Sequence, residues 1–158
     1  MSIACLTKLE DIEIRQCDKG DIASLVEIDS QNIGGGWNYQ SFTDEYSFTR
    51  SKIYIAENTI NREILGFIVF RLSVDEIEIF NIAVLPSVRR KGIGRKLMQV
   101  VIQFANIQKK LSILLEVRSS NEKAIALYKS LGFRTTGKRQ GYYQKENEDA
   151  LLMELRIK

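Results

Sequence analysis

Histidine is absent from the 158-residue chain. That excludes Ser-His-Asp and Cys-His catalysis and leaves proton transfer to Glu, Asp, Tyr, Lys, Cys or water. Cysteine occurs twice, at Cys5 and Cys17, too few for a disulfide framework or a four-ligand zinc site, so no metal is expected. Proline occurs once, at Pro86. With no Pro/Gly-rich linker, repeat or low-complexity tract, the chain reads as a single domain over residues 1–158. No apolar run reaches the roughly 18 residues that a membrane span needs. Lys8, Glu10 and Asp11 interrupt the stretch where a signal peptide would be apolar, so a cytoplasmic protein is expected. The net charge of +3 is too small to argue for nucleic acid, and is compatible with an acidic small cofactor.

What is present reads as alternating strands and helices. Ile12 to Gln16 alternates as a short strand. Asp18 or Asp21 can cap a helix through Leu25, Val26 and Ile28, and Gly34, Gly35 and Gly36 then break the chain. Tyr39 to Tyr46 reads as a second short helix. Ser51 to Glu57 and Glu63 to Arg71 read as strands joined by a turn at Asn58 to Arg62. Glu76 to Val84 is a third strand with an irregularity. Ile77 and Ile79 are apolar at odd positions, while Phe80, Ile82 and Val84 are apolar at even ones. Either both faces are buried or a β-bulge resets the register near Ile79 and Phe80. Ile93 to Gln108 is the clearest helix, with Ile93, Leu97, Val100, Val101 and Phe104 on one stripe. Ser112 to Val117 is a short apolar strand. Asn121 caps a helix ending at Leu131, with Gly132 in the left-handed position beyond it. Arg134 to Tyr143 and Ala150 to Ile157 read as a closing hairpin. About seven strands and about four helices mixed along the chain imply an α/β (α+β) layered domain.

The third strand feeds a basic turn, Arg89-Arg90-Lys91-Gly92-Ile93-Gly94, that opens into the long helix. The first N–H groups of a helix lack internal partners, and the helix dipole adds positive charge there. Glycines admit a phosphate close to the backbone. Arg95 and Lys96 stand in the first turn, where cations oppose the dipole unless an anion is bound. No Walker loop is present, and Leu97 stands where a dinucleotide fingerprint needs its third glycine. An ordinary basic surface turn is the alternative.

Two further groups follow. Glu116 ends the next strand, between Leu115 and Val117. A partly buried carboxylate can serve as a general base; the alternative is a solvent-facing glutamate or a pair with Arg118. Tyr128 shares a helical stripe with Ala124, Ile125 and Leu131. A phenol, with its ordinary pKa of about 10, can donate a proton, although core packing is the commoner fate of such a tyrosine. Asn121 can be a helix cap and nothing more.

In this order, the residues resemble the GNAT superfamily of acyl-CoA-dependent N-acetyltransferases, whose signature Gln/Arg-x-x-Gly-x-Gly/Ala is matched by Arg89-Arg90-Lys91-Gly92-Ile93-Gly94. The resemblance runs strongly from Phe80 to Phe133. It implies a mixed, mostly antiparallel central sheet of about seven strands flanked by about four helices, and acetyl-CoA as co-substrate. It implies that the turn, with Arg95, holds the pyrophosphate and that the Ile82, Ala83 and Val84 backbone runs along the pantetheine arm and polarises the acetyl carbonyl. The co-substrate would lie between the strands ending at Val84 and Val117. Glu116 takes the place of the proton acceptor and Tyr128 that of the donor, and Asn121 falls on a cofactor-contacting position.

Within the superfamily the chain looks like the bacterial branch that acetylates the N-terminal alanine of a small-subunit ribosomal protein, through LEVRSSNEKAIALYKSLGF, the pair Tyr142-Tyr143 and EDALLMEL from Glu148. That implies a protein N-terminus as partner, with Trp37, Tyr142 and Tyr143 lining its cleft, no nucleic acid and no membrane. Two departures lie on the acceptor side. Gly36-Trp37-Asn38 replaces the family's Pro-Trp-Ser, and Gln144 replaces a proline after the paired tyrosines. They bear on the acceptor and not on the cofactor. Lysine Nε or a small amine as acceptor, a non-catalytic acyl-CoA sensor, and a ribosome- or RNA-binding module using Arg89 to Lys96 are the competing readings. The last lacks the aromatic-interleaved basic face such modules use.

Overall fold

The structure, a computed structural model, describes residues 7–32, 35–144 and 146–158; Cys5 and Gly34 lie outside the described residues. β1 (Ile12–Gln16) turns its buried Ile12 inward. A one-turn 3-10 segment, Lys19–Asp21, follows, closed by the Asp18 N–H donating to the Asp21 carboxylate at 2.7 Å. It feeds α1 (Ile22–Ser30), whose Ile22, Leu25 and Ile28 are buried at helical spacing. α2 (Tyr39–Ser47) starts where Asn38 Oδ1 accepts from the Ser41 N–H at 2.8 Å. Asn38 thus does the capping work that a serine would do there.

β2 (Ser51–Asn58), β3 (Ile64–Leu72) and β4 (Glu76–Val84) come next. α3 (Ile93–Ile107), β5 (Ser112–Arg118), α4 (Glu122–Ser130), β6 (Arg134–Tyr143) and β7 (Glu148–Arg156) complete the order. The seven strands form one sheet in the order β1-β2-β3-β4-β5-β7-β6. β4 and β5 are parallel, while β1 and β2, β2 and β3, β5 and β7, and β6 and β7 are antiparallel. The expected mixed, mostly antiparallel sheet with four α-helices is what these described residues form.

Two compact units divide the chain. The first holds residues up to Arg71 and Asn81–Val101. Its core gathers Leu25, Phe42, Ile55, Phe67 and Val69. Phe42 meets Phe67 edge-on at 5.2 Å, and the tilted Trp37 ring meets Phe42 at the same distance, 5.2 Å. β3 is buried on both faces from Leu65 to Phe70, as a strand with neighbours on each side should be. The pairing of β2 with β3 shifts between Ala56 and Glu57, which oppose Gly66 and Ile64, so Leu65 is the extra residue.

The second unit holds Leu72–Phe80 and Ile102–Lys158. There β4 runs beside β5 in an unshifted register from Glu76–Ser112 to Ile79–Leu115. Burial along β4 stays on odd positions, Ile77, Ile79 and Ala83, and Phe80 is 40% exposed. Full burial of both faces is therefore not the explanation of its apolar even positions, since Phe80 is exposed and Ile82 and Val84 are half-buried. The α3 stripe also differs in detail. Its buried ridge steps by four through Ile93, Leu97, Val101 and Ala105, with Met98 beside it. Val100 and Phe104 are only half-buried.

Gly66 sets how closely β3 approaches the end of β4. A Cβ there would stand 2.8 Å from the Ala83 carbonyl oxygen and 3.3 Å from Val84 Cγ2. The Leu85 N–H donates to the Leu65 carbonyl at 2.8 Å, locking that approach. Backbone cannot move aside easily for an added methyl, so Gly66→Ala is expected to destabilise the fold by about 1–3 kcal/mol, read as a lowered midpoint in urea unfolding.

Candidate active site

The first unit carries the basic turn. β4 ends at Val84, Pro86–Val88 makes a single 3-10 turn with Val88 fully buried as its anchor, and α3 begins at Ile93. Between them Arg90 has φ +65° and Gly92 φ +85°. A left-handed residue with a Cβ is strained. Gly92 avoids that strain, and its contact with the Leu9 side chain leaves ordinary room, 3.5 Å, for a Cβ. Gly92 is therefore required by its backbone angle and not by crowding.

The cations of the turn have separate duties. Arg89 is turned back: Nε donates to the Val84 carbonyl at 3.2 Å, and one terminal nitrogen donates to Asn32 Oδ1 at 2.7 Å. Lys91 Nζ reaches the Thr7 carbonyl at 3.5 Å. Lys96 Nζ donates to the carbonyls of Leu9 and Ile12 at 3.2 and 2.9 Å. The expectation that Lys96 needs an anion is thus corrected, because carbonyls of the N-terminal segment already compensate it. Ile93 points its side chain into the core, 1% exposed, so only its backbone can face a ligand. Arg90 and Arg95 are exposed, and α3 has no acidic residue in its first turn. Exposed guanidinium groups beside helix N–H groups, in a first turn free of carboxylates, fit a phosphate group.

Beside the turn, Ala83 is buried while Ile82 and Val84 are half-buried. Trp37 lies on the aromatic core and is held by its backbone: the N–H groups of Gly36 and Trp37 donate to Asp29 Oδ2 at 3.2 and 3.0 Å. A proline at position 36, as the family pattern has it, would supply no N–H.

The second unit carries the candidate proton-handling groups. Along β5, Ile113, Leu115 and Val117 are buried, and Leu114, Glu116 and Arg118 share the half-exposed face. Glu116 Oε1 lies 3.2 Å from an Arg139 guanidinium nitrogen. The alternative pairing of Glu116 with Arg118 is corrected, since Arg118 is taken by Glu146 at 3.1 Å and Glu148 at 3.6 Å. Its guanidinium also stacks over the Tyr143 ring at 3.8 Å. Glu148 is held below its ordinary range by hydrogen bonds from Ser120, whose N–H donates at 2.7 Å.

The paired tyrosines sit where the β6–β7 register shifts between Arg139 and Tyr143, with Gly141 at φ +59°. A bulge of this kind re-aims side chains. Here it sets the Tyr142 and Tyr143 rings edge to face at 5.2 Å. Burial raises the Tyr143 phenol, and the nearby Glu116 carboxylate adds to that rise.

Tyr128, 6% exposed, packs on Phe133 at 5.9 Å. Burial, with a contribution from Tyr143, pushes its phenol up to about 12. Tyr143 therefore sits within electrostatic reach of both Glu116 and Tyr128. Asn121 is the cap of α4, its Oδ1 accepting from the Ala124 N–H at 3.2 Å. Sequence reasoning did not find Arg139 or the Arg118–Glu148 cluster. Neither has a local signal, because both depend on hairpin register.

The acetyltransferase (GNAT) family model matches residues 22–133. Over 146 residues the chain is 32% identical to the ribosomal protein bS18-alanine N-acetyltransferase of Escherichia coli (strain K12), covering 91% of this chain and 97% of that protein. It is 29% identical over 166 residues to an N-alpha-acetyltransferase of Sulfurisphaera tokodaii, covering 97% and 98%. The crystal structure of the ribosomal-protein-S18-alanine N-acetyltransferase from Escherichia coli superposes with a TM-score of 0.84 at 32% identity, covering 92% of this chain and 94% of that one.

The buried phenol gives a pH signature. Its proton is retained to a higher pH in the folded chain than in the unfolded one, where tyrosine ionises near 10. Stability from this group is therefore complete below pH 10 and lost as pH rises through 12. The loss amounts to about 3 kcal/mol. Urea unfolding of wild type and Tyr128→Phe at pH 9, 10 and 11 should show a steeper decline for wild type; parallel declines would mean that Tyr128 is not buried as a neutral phenol.

Proposed function

We propose, from the premise that this chain belongs to the acetyltransferase (GNAT) family, that it transfers an acetyl group from acetyl-CoA to the N-terminal α-amine of a protein. The acceptor favoured by the likeness to the Escherichia coli enzyme is the N-terminal alanine of a small-subunit ribosomal protein. The observation that carries the reading is the grouping of Glu116, Tyr143 and Tyr128 in one unit. It supplies a proton acceptor and a hydrogen-bond donor in a chain without histidine.

Acetyl-CoA, when bound, supplies the activated acyl carbon as a thioester. The N–H groups at the start of α3, with Arg90, Arg95 and the Gly92 backbone, would hold its pyrophosphate. The Ile82–Val84 backbone would lie along its arm, and an N–H near Val84 would stabilise negative charge at the carbonyl oxygen. An α-amine has a pKa near 8, so about a tenth is neutral at pH 7. Glu116, held by Arg139, takes the proton the amine loses, directly or through one water. The C–N bond forms as the C–S bond breaks. Tyr128 keeps its own proton throughout the working range, its phenol standing at about 12. A thiolate whose conjugate acid has a pKa of about 8.5 does not take the proton from that phenol, so Tyr128 acts by donating a hydrogen bond to the leaving sulfur, which departs as a thiolate and equilibrates with the buffered solvent, into which Glu116 releases the proton of the amine. Trp37, Tyr142 and Tyr143 would line the acceptor path.

The test is acetylation of a peptide with an N-terminal alanine and one internal lysine, with the acetyl group located by tandem mass spectrometry. Acetyl on the α-amine is expected; acetyl on the lysine alone would overturn the acceptor assignment. Glu116→Gln should lower kcat roughly 10²–10⁴-fold, and Tyr128→Phe roughly 10²-fold with acetyl-CoA affinity kept. A normal rate in either variant removes that residue's role.

A further inference from the structure

Asp29 is the buried acid that the chemistry above leaves unused. It stands in the last turn of α1, 2% exposed, in the core of the first unit beside Leu25 and Ile28. Amide donors meet both of its carboxylate oxygens. Oδ2 accepts the N–H groups of Gly36 and Trp37 at 3.2 and 3.0 Å. Oδ1 accepts Asn81 Nδ2 at 3.0 Å. A carboxylate so placed is destabilising unless its lone pairs are used, and an apolar side chain of similar size would suit such a core better. The three donors come from two places far apart in sequence: the segment leading into α2, and β4 at the residue just before Ile82, Ala83 and Val84.

The surrounding backbone is built to bring the first two donors in. The Asn32 N–H donates to the Asp29 carbonyl at 3.0 Å, and the Gly35 N–H to the Asn32 carbonyl at 3.1 Å. Gly35 lies so close to the end of α1 that a Cβ on it would stand 1.9 Å from the Asp29 carbonyl oxygen. Only glycine fits there. Gly36 then offers an N–H where proline would offer none. Trp37 emerges with its backbone pinned and its ring against Phe42.

We propose that Asp29 is a positioning residue for the acceptor side. By gripping Gly36, Trp37 and Asn81 at once, it indexes the Trp37 segment against the β4 residues that meet the acyl group. The proposal rests on the reading that Trp37 borders the acceptor. It makes the Gly36-Trp37-Asn38 departure a change of anchoring that keeps the tryptophan in place.

Trp37 is the chain's single tryptophan, so its fluorescence reports this segment without interference. In Asp29→Asn one lone-pair site becomes an NH₂ facing other donors. Quenching of Trp37 by acrylamide should rise at least about twofold, and kcat/KM for an N-terminal alanine peptide should fall roughly 10–100-fold, mainly through KM. The Kd for acetyl-CoA, by calorimetry, should stay within about twofold. The double variant Asp29→Asn/Asn81→Asp restores the pattern. Its side-chain amide at position 29 can accept from the two N–H groups and donate to the carboxylate at position 81. That variant should recover both quenching and kcat/KM.

Unchanged quenching and kinetics in Asp29→Asn would overturn the proposal. So would a loss shared equally by acetyl-CoA affinity and unrecovered in the swap, which would mark Asp29 as a fold residue only. Should Asp29→Asn fail to fold, Asn81→Ala decides by the same two readouts with a smaller expected effect. If wild type acetylates no α-amine, the acceptor reading fails, and the quenching comparison alone then upholds or overturns the positioning role.

Discussion

How the chain leaves β4 and enters α3 governs the rest of the structure. Within the few residues from Leu85 to Gly92 it must end a strand, reverse direction and start a helix with that helix's N–H groups facing outward. It does so with a 3-10 turn anchored by the buried Val88 and with two left-handed residues, Arg90 and Gly92. That angle costs Arg90 about 1–2 kcal/mol, the kind of local strain that concentrates at functional sites. The lysines on either side of Gly92 steady the turn from behind. Lys91 and Lys96 hold carbonyls of Thr7, Leu9 and Ile12, and Arg89 holds Val84 and Asn32. The guanidinium groups of Arg90 and Arg95 are exposed beside the start of α3.

The lack of histidine shapes the other half. On the proposed reading, proton transfer near neutrality without imidazole falls to a carboxylate and a phenol held in fixed environments. Here the environments come from the sheet. The period-two alternation of β5 puts Glu116 and Arg118 on the half-exposed face. The β6–β7 hairpin delivers Arg139 to one and Tyr143 to the other. Burial on α4 keeps Tyr128 protonated. Each group is ordinary alone, and the bulge at Gly141 is what sets Tyr143 among them.

Much of this was legible in the sequence, for reasons that can be named. Periodicity and caps gave β1, α1, α2, α3, α4 and the closing hairpin, because those signals are local. The glycine pattern and its place between strand and helix marked the candidate phosphate turn. What stayed hidden was non-local. Arg139, which opposes Glu116, lies far along the chain and is placed by how β6 registers against β7. Lys96 looked like an uncompensated cation because its acceptors, the Leu9 and Ile12 carbonyls, lie at the other end of the first unit's sequence. The apolar even positions of β4 left two readings open, burial of both faces or a bulge, and the exposure of Phe80 argues against the first. The role of Gly36 was invisible until Asp29 was seen beneath it.

The central claim is that this turn recognises the pyrophosphate of acetyl-CoA through its backbone. Calorimetric titration of wild type and Gly92→Ala with acetyl-CoA and with acetyl-pantetheine, which lacks the phosphates, tests it most directly. A Cβ at φ +85° strains the turn while leaving its surroundings unobstructed. The expected result is a loss of roughly tenfold in affinity for acetyl-CoA with acetyl-pantetheine unchanged. An equal loss for both ligands, or none for either, would contradict it.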